Sequence, residues 1–179
     1  MSASLRWNKE EARMRVQEVM TPDPICCTQN DDIASAAAIM TDGSTSMVPV
    51  TEYHYRPSRF LGVITQRDLC GAVAQGKDPV ATRIEECMSA NSPSCLPTDD
   101  VAHALRAMRA SGLLRIPVLS HKKELLGTIS MGDIIRHHAA DSGELFRTLS
   151  VIAITNAPAK VPVAKFRTYT RDKGFSAAS

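Results

Sequence analysis

Leu61-Gly62-Val63-Ile64-Thr65-Gln66-Arg67-Asp68 and Leu126-Gly127-Thr128-Ile129-Ser130-Met131-Gly132-Asp133 are two versions of one phrase, 65 positions apart. In each, a short apolar run ends on a hydroxyl residue, and a carboxylate follows three positions later. Upstream, Val48-Pro49-Val50 matches Ile116-Pro117-Val118 at an offset of 68. That offset also relates Met40 to Met108, Ile33 to Val101, Cys27 to Cys95, and Val19-Met20-Thr21 to Cys87-Met88-Ser89. The slip of three lies where TEYHYRPSRF (51–60) is longer than its counterpart, SHKKEL (120–125) with Leu119 before it, and surface loops carry such insertions. A repeat at this period fixes the architecture before any single element does.

Each half has the same local grammar. Asn30 or Asp31 is placed to cap a helix bearing Ile33, Ala36, Ala37 and Met40, with Gly43 beyond its end. In the second half Thr98 opens the helix, Val101, Ala104, Leu105 and Met108 form the stripe, and Gly112 closes it. Two short strands follow, then a helix starting near Thr65 or Ser130. With an extended segment at its head (PICC, SCLP), the unit is α/β and βαββα-like. One such unit buries too little apolar surface to stand alone, so the two should pack together by their sheets.

Composition narrows the function classes. The chain has 179 residues, 44% hydrophobic and 22% charged, with a net charge of +2 that argues for neither nucleic acid nor membrane. No run approaches the ~20 apolar residues of a membrane span, and charges near the start argue against a signal peptide, so a cytoplasmic location is expected. Five cysteines (Cys26, Cys27, Cys70, Cys87, Cys95) without a CxxC pair suit reduced, mostly buried thiols. No metal site is expected from the scattered His residues. No Gly-rich phosphate loop or nucleophile elbow is present, so catalysis is not expected.

The openings VMTPDPICC and CMSANSPSC, the central VPV and IPV, and the closing GVITQRDL and GTISMGDI resemble the cystathionine-beta-synthase (CBS) domain. The closing pair is similar to that family's G-x-x-[ST]-x-x-D signature, and the tandem arrangement resembles a Bateman module. The resemblance places a first repeat at 16–75 and a second at 84–138; an N-terminal arm or helix (1–15) precedes them, and the C-terminal extension (139–179), with its breakers, basic and small residues, is expected to be partly disordered. The same resemblance implies a pseudo-two-fold axis between the repeats and a homodimer. It also implies adenosine-containing ligands (AMP, ADP, ATP, S-adenosylmethionine or a dinucleotide) bound in clefts between the repeats.

By that resemblance, one cleft combines Thr21, Pro24 and Ile25 with Arg115, Ser130 and Asp133. The other combines Ser89, Pro93 and Met47 with Thr65 and Asp68. Asp68 and Asp133 would accept from ribose hydroxyls, while Thr65 and Ser130 stand at helix starts that favour phosphate. Arg115 occupies a phosphate-contacting position and Met47 does not, so the Arg115 cleft is expected to prefer a phosphorylated ligand, the Met47 cleft to stay empty or take an uncharged adenosyl group. Arg67 is a further cation near the second cleft. The residues themselves leave a plainer reading open: Thr65-x-x-Asp68 and Ser130-x-x-Asp133 are capping boxes, which any helix start can carry. Thr21 and Ser89 can equally end a helix, and Arg115 can be a strand-edge residue.

The implied work is regulatory ligand sensing, relayed through dimer geometry or a separate effector protein. A ligand-free dimerisation scaffold is the alternative. Nucleic-acid binding is a weaker third reading, resting on six Lys or Arg after Ser142 against Glu144 and Asp172. Phe146, Leu149, Ile152 and Ile154 extend a helix or supply a docking strand.

Overall fold

The computed structural model describes residues 14–137, 140 and 142–155. The expected features of the arm before Met14 and of the tail after Thr155 lie outside these residues. The chain runs α1 (Val16–Val19), β1 (Thr21–Pro22), β2 (Cys27–Thr28), α2 (Ile33–Asp42), β3 (Met47–Thr51), β4 (Phe60–Thr65) and α3 (Gln66–Ala74). After a 3-10 turn at Ile84–Glu86 come α4 (Val101–Ser111), β5 (Arg115–Leu119), β6 (Leu125–Ser130), α5 (Met131–Arg136) and α6 (Ser142–Thr155). The duplicated mixed α/β unit is therefore present in three dimensions.

Two three-stranded sheets carry the halves, in the orders β2-β3-β4 and β1-β6-β5. β3 and β4 pair antiparallel with Met47 opposite Thr65, and β5 and β6 repeat this with Arg115 opposite Ser130. The opening segments cross over. Thr21 and Pro22 pair with Thr128 and Gly127 of the second half, while Ser89 bridges to Val63 of the first. Ser89 donates to the Val63 carbonyl at 2.8 Å and accepts from its amide at 3.0 Å.

Gly62 and Gly127 make these crossings possible. A Cβ on Gly62 would sit 2.4 Å from the Ser89 carbonyl oxygen, and one on Gly127 2.8 Å from that of Thr21. Glycine inside a strand is the usual mark of such a close backbone approach.

The cores follow the crossing. Val16 and Val19 of α1 pack with Leu105, Met108, Ile116 and Ile129 of the second half. Ile84, which opens the second repeat, packs with Ile33, Met40, Val48 and Ile64 of the first.

Helix caps sit one or two residues later than the sequence suggests. Asp32 caps α2, accepting from the Ser35 amide at 2.7 Å, and Asp100 caps α4, accepting from the Ala102 amide at 2.8 Å. Asn30, Asp31 and Thr98 precede them. Asp31 instead accepts from the Thr28 amide at 2.7 Å, closing the turn ahead of the helix. α4 ends on Gly112 at φ 72°, the left-handed position that favours glycine. Residues 142–155 settle the open choice there, forming a helix packed on α4 rather than a strand.

All five thiols are free, and none of the described helices is long and apolar enough to cross a membrane. Cys27 and Cys95 are buried, and desolvation pushes each from the ordinary 9.0 to about 12. A raised thiol pKa favours the folded state below about pH 9, and this preference is lost as pH climbs toward about 12. At pH 8 a chromogenic disulfide reagent is expected to modify exposed Cys70 quickly and Cys27 and Cys95 only on unfolding. Equal rates at all five would contradict this burial.

Candidate functional site

The crossed openings leave two grooves related by the pseudo-two-fold axis. The first, of about 480 Å³, is lined by Thr65, Gln66, Arg67 and Asp68 on one side. Ser89, Asn91, Ser92 and Pro93 of the second opening segment form the facing wall, and Ser111–Leu114 close the end. The second groove holds about 150 Å³ and is lined by Thr21, Pro24, Ile25, Met47, Arg115 and Thr128, among others.

The sequence-derived groupings are redistributed accordingly. Ser89, Pro93, Thr65 and Asp68 meet in the larger groove, but Met47 does not; it is buried and lines the smaller one. Thr21, Pro24, Ile25 and Arg115 meet in the smaller groove, whereas Ser130 and Asp133 do not line it. The expectation that the Arg115 cleft is the better site runs against the space available.

The physical reason lies in what occupies the carboxylates. Both capping boxes are real. Asp68 Oδ2 accepts from Thr65 N and Oγ1 at 2.8 and 2.6 Å, and Asp133 Oδ2 accepts from Ser130 N and Oγ at 2.9 and 2.6 Å. They differ at the other oxygen. Asp133 Oδ1 accepts from the Arg136 guanidinium, and the residue is only 4% exposed. Asp68 is half-buried, and its Oδ1 accepts no hydrogen bond among the described residues.

Arg115 adds to the closure. Facing Ser130 in register, it reaches along β6 to donate to Thr128 Oγ1 at 3.0 Å, covering that face of the strand. At the matched positions of the larger groove stand Met47 and Val63, which place no cation across β4.

One signal for this asymmetry was available in the sequence. Asp133-x-x-Arg136 is an i, i+3 acid–base pair, and the matched pair in the first repeat is Asp68-x-x-Gly71, with no base. The Ser111–Leu114 wall carries no comparable motif. No group of three or more His, Cys, Asp or Glu residues suited to a metal occurs among the described residues.

The geometry of the larger groove fits a small organic molecule. Its volume falls in the ~300–1,000 Å³ range of ligand pockets. It offers a carboxylate oxygen for hydroxyl donors, hydroxyls on both walls, the N-terminus of α3, and Val63, Leu113 and Leu114 as apolar contact.

Comparison with known proteins adds to this. A family model of the CBS domain matches residues 16–75 and 84–140. The uncharacterized protein YlbB of Bacillus subtilis is 30% identical over 120 residues, covering 67% of this chain and 79% of that protein. L-aspartate semialdehyde sulfurtransferase of Methanocaldococcus jannaschii is 26% identical over 121 residues, and the match spans 68% of this chain but only 22% of that enzyme. Among solved structures, the CBS domain pair of protein MJ0100, in complex with 5-methylthioadenosine and S-adenosyl-L-methionine, superposes with a TM-score of 0.61 at 26% identity. That superposition covers 70% of this chain and 95% of the other.

Proposed function

This chain belongs to the CBS-domain family, and from that premise we propose that it is a regulatory module binding an adenosine-containing ligand in the Thr65–Asp68 groove. The observation that carries the reading is the unengaged Oδ1 of Asp68 beside an open groove built from both repeats. A ribose diol donates to that oxygen while Oδ2 keeps α3 capped, so one carboxylate does both jobs. Arg67 and the start of α3 face whatever the 5′ substituent carries, and a phosphate or carboxylate suits both. The kinship with a domain pair whose complex holds 5-methylthioadenosine and S-adenosyl-L-methionine supports the adenosyl class.

The binding step has a regulatory use because the groove wall is shared. Asp68 belongs to the first repeat and Ser89–Pro93 to the second, so a ligand ties the two together. It shifts any equilibrium in their relative placement by its differential affinity for the two arrangements. We read the output as a change in homodimer geometry or in affinity for an effector protein, in the cytoplasm, where free thiols persist.

Calorimetric titration with AMP, ADP, ATP and S-adenosylmethionine tests the site. At least one is expected to bind saturably, and Asp68→Asn, which keeps an oxygen for the cap, to weaken it about ten- to hundredfold, the worth of a hydrogen bond to a charged group. Asp133→Asn is expected to leave affinity within about twofold. Absence of binding by all four compounds, or full affinity in the Asp68 variant, would return the chain to the scaffold reading.

A further inference from the structure

A third groove, of about 490 Å³, lies at the opposite end of β4 from Asp68. Its lining includes Arg59, Phe60, Asn91, Ser92, His121 and Lys123, with no carboxylate among the lining residues. We propose that this groove binds a phosphate-bearing small molecule, held by Arg59, His121 and Lys123.

The argument comes from its pseudo-symmetric twin, which the protein fills by itself. In the first repeat the longer loop, residues 52–59, folds Arg56 over the equivalent place. The Arg56 guanidinium donates to the Pro24 carbonyl and, at 3.5 Å, to that of Leu125, and it pairs with Asp23 at 3.4 Å. By the repeat offsets, Asp23, Pro24 and Leu125 correspond to Asn91, Ser92 and Phe60. All three line the open groove. The shorter loop of the second repeat brings His121 and Lys123 to the groove, but among the described residues neither side chain bonds back to Asn91, Ser92 or Phe60, and so the space stays open.

The charge at the matched positions has shifted toward positive. Where Asp23 offers the twin a carboxylate, Asn91 offers an amide, and three bases have gathered around it. A place built to hold a cation on one side of the axis thus suits an anion on the other. Two of the bases stand on a constrained turn: His121 lies within it, and Lys123 has φ 61°, its amide donates to Ser120 O at 2.9 Å, and its carbonyl accepts from Phe60 N at 2.9 Å. Two acids neighbour Arg59 through the backbone: Glu52 donates its amide to the Arg59 carbonyl at 2.9 Å, and Glu124 bridges to Arg59 and spends Oε2 on Ser120 Oγ at 2.8 Å; neither lines the groove. Phe60, Leu61, Leu96 and Leu119 supply an apolar floor, which favours an organic phosphate over the bare ion.

Inorganic pyrophosphate is the probe, followed by backbone amide shifts of the full chain. Saturable shifts are expected at residues 90–96 and 119–123. Arg59→Gln with Lys123→Gln should weaken them at least tenfold while the remaining spectrum stays folded, and Asp68→Asn should leave them intact. No saturable shift at millimolar pyrophosphate would overturn the proposal, as would unchanged affinity in the double variant. Shifts confined to Thr65–Asp68 would overturn it too, by assigning the anion to the other groove and leaving the adenosyl reading standing.

Discussion

Gly62→Val is expected to lower the unfolding free energy by about 3 kcal/mol, at the upper end of overpacking penalties, because what it meets is backbone. A side chain at residue 62 begins 2.4 Å from the Ser89 carbonyl oxygen and 3.0 Å from Ala90 Cα. Neither can turn aside as a rotamer does. The chain segment must lift away, breaking both hydrogen bonds between Ser89 and Val63. For a protein of this size the loss corresponds to a fall in Tm of roughly 10 °C. Adenosyl affinity should fall with it, since Ser89–Pro93 is the wall that moves. The matched substitution Gly127→Val should cost less. Its backbone contact is longer, at 2.8 Å, and the neighbour at 3.0 Å is the flexible Met20 side chain. A Tm within about 2 °C of the parent for Gly62→Val would show that the strand and the second opening segment are not bound as tightly as described.

Leu105→Ala is the second large effect, expected at about 3–4 kcal/mol. Leu105 is 0% exposed and lies among Val101, Met108, Ile116, Ile134 and the two valines of α1. Among the described residues this cluster contains no aromatic side chain, so none of its members is a large ring able to swing into the space. The cavity therefore persists, and its cost adds to the lost transfer energy. Phe146→Ser makes the control: Phe146 is 72% exposed, and its loss should change stability by less than about 0.5 kcal/mol. Thermal or urea unfolding separates the two. Equal effects would mean that α6 buries Phe146 in the working assembly, while a small effect at Leu105 would contradict the packing of the second core.

Much of this molecule was legible in the residues. The stripe Val101, Ala104, Leu105, Met108 faces inward as its spacing requires, and Thr65 and Ser130 start helices as their capping boxes imply. The N-caps were harder, because 30–32 and 98–100 each offer neighbouring polar residues. Local propensity does not choose among them; the register of the following helix does. The crossing of the openings is not a local property at all. Nothing within Thr21–Pro22 specifies Thr128 and Gly127 as its partners, except that a glycine at residue 127 leaves room for a passing carbonyl. The two clefts were the least legible part. Arg115 looks like a ligand contact in sequence, yet a neighbouring threonine engages it, and Asp133 is held by a base one helical turn on.

The exchanged opening segments also set the order in which the nascent chain can settle. Thr21–Pro22 leaves the ribosome more than a hundred residues ahead of Leu125–Ser130, the strand it completes. At translation speeds of about 5–20 residues per second, that edge waits on the order of 5–20 s for its partner. During the interval Val16 and Val19 have no core to enter, whereas the first core, drawn from residues between Cys27 and Met88, has all its parts once the Ile84–Ser89 stretch emerges. The first half can therefore settle early, while the second half and the valines of α1 wait for the last strand. Final assembly is a late event, completed on a half already formed.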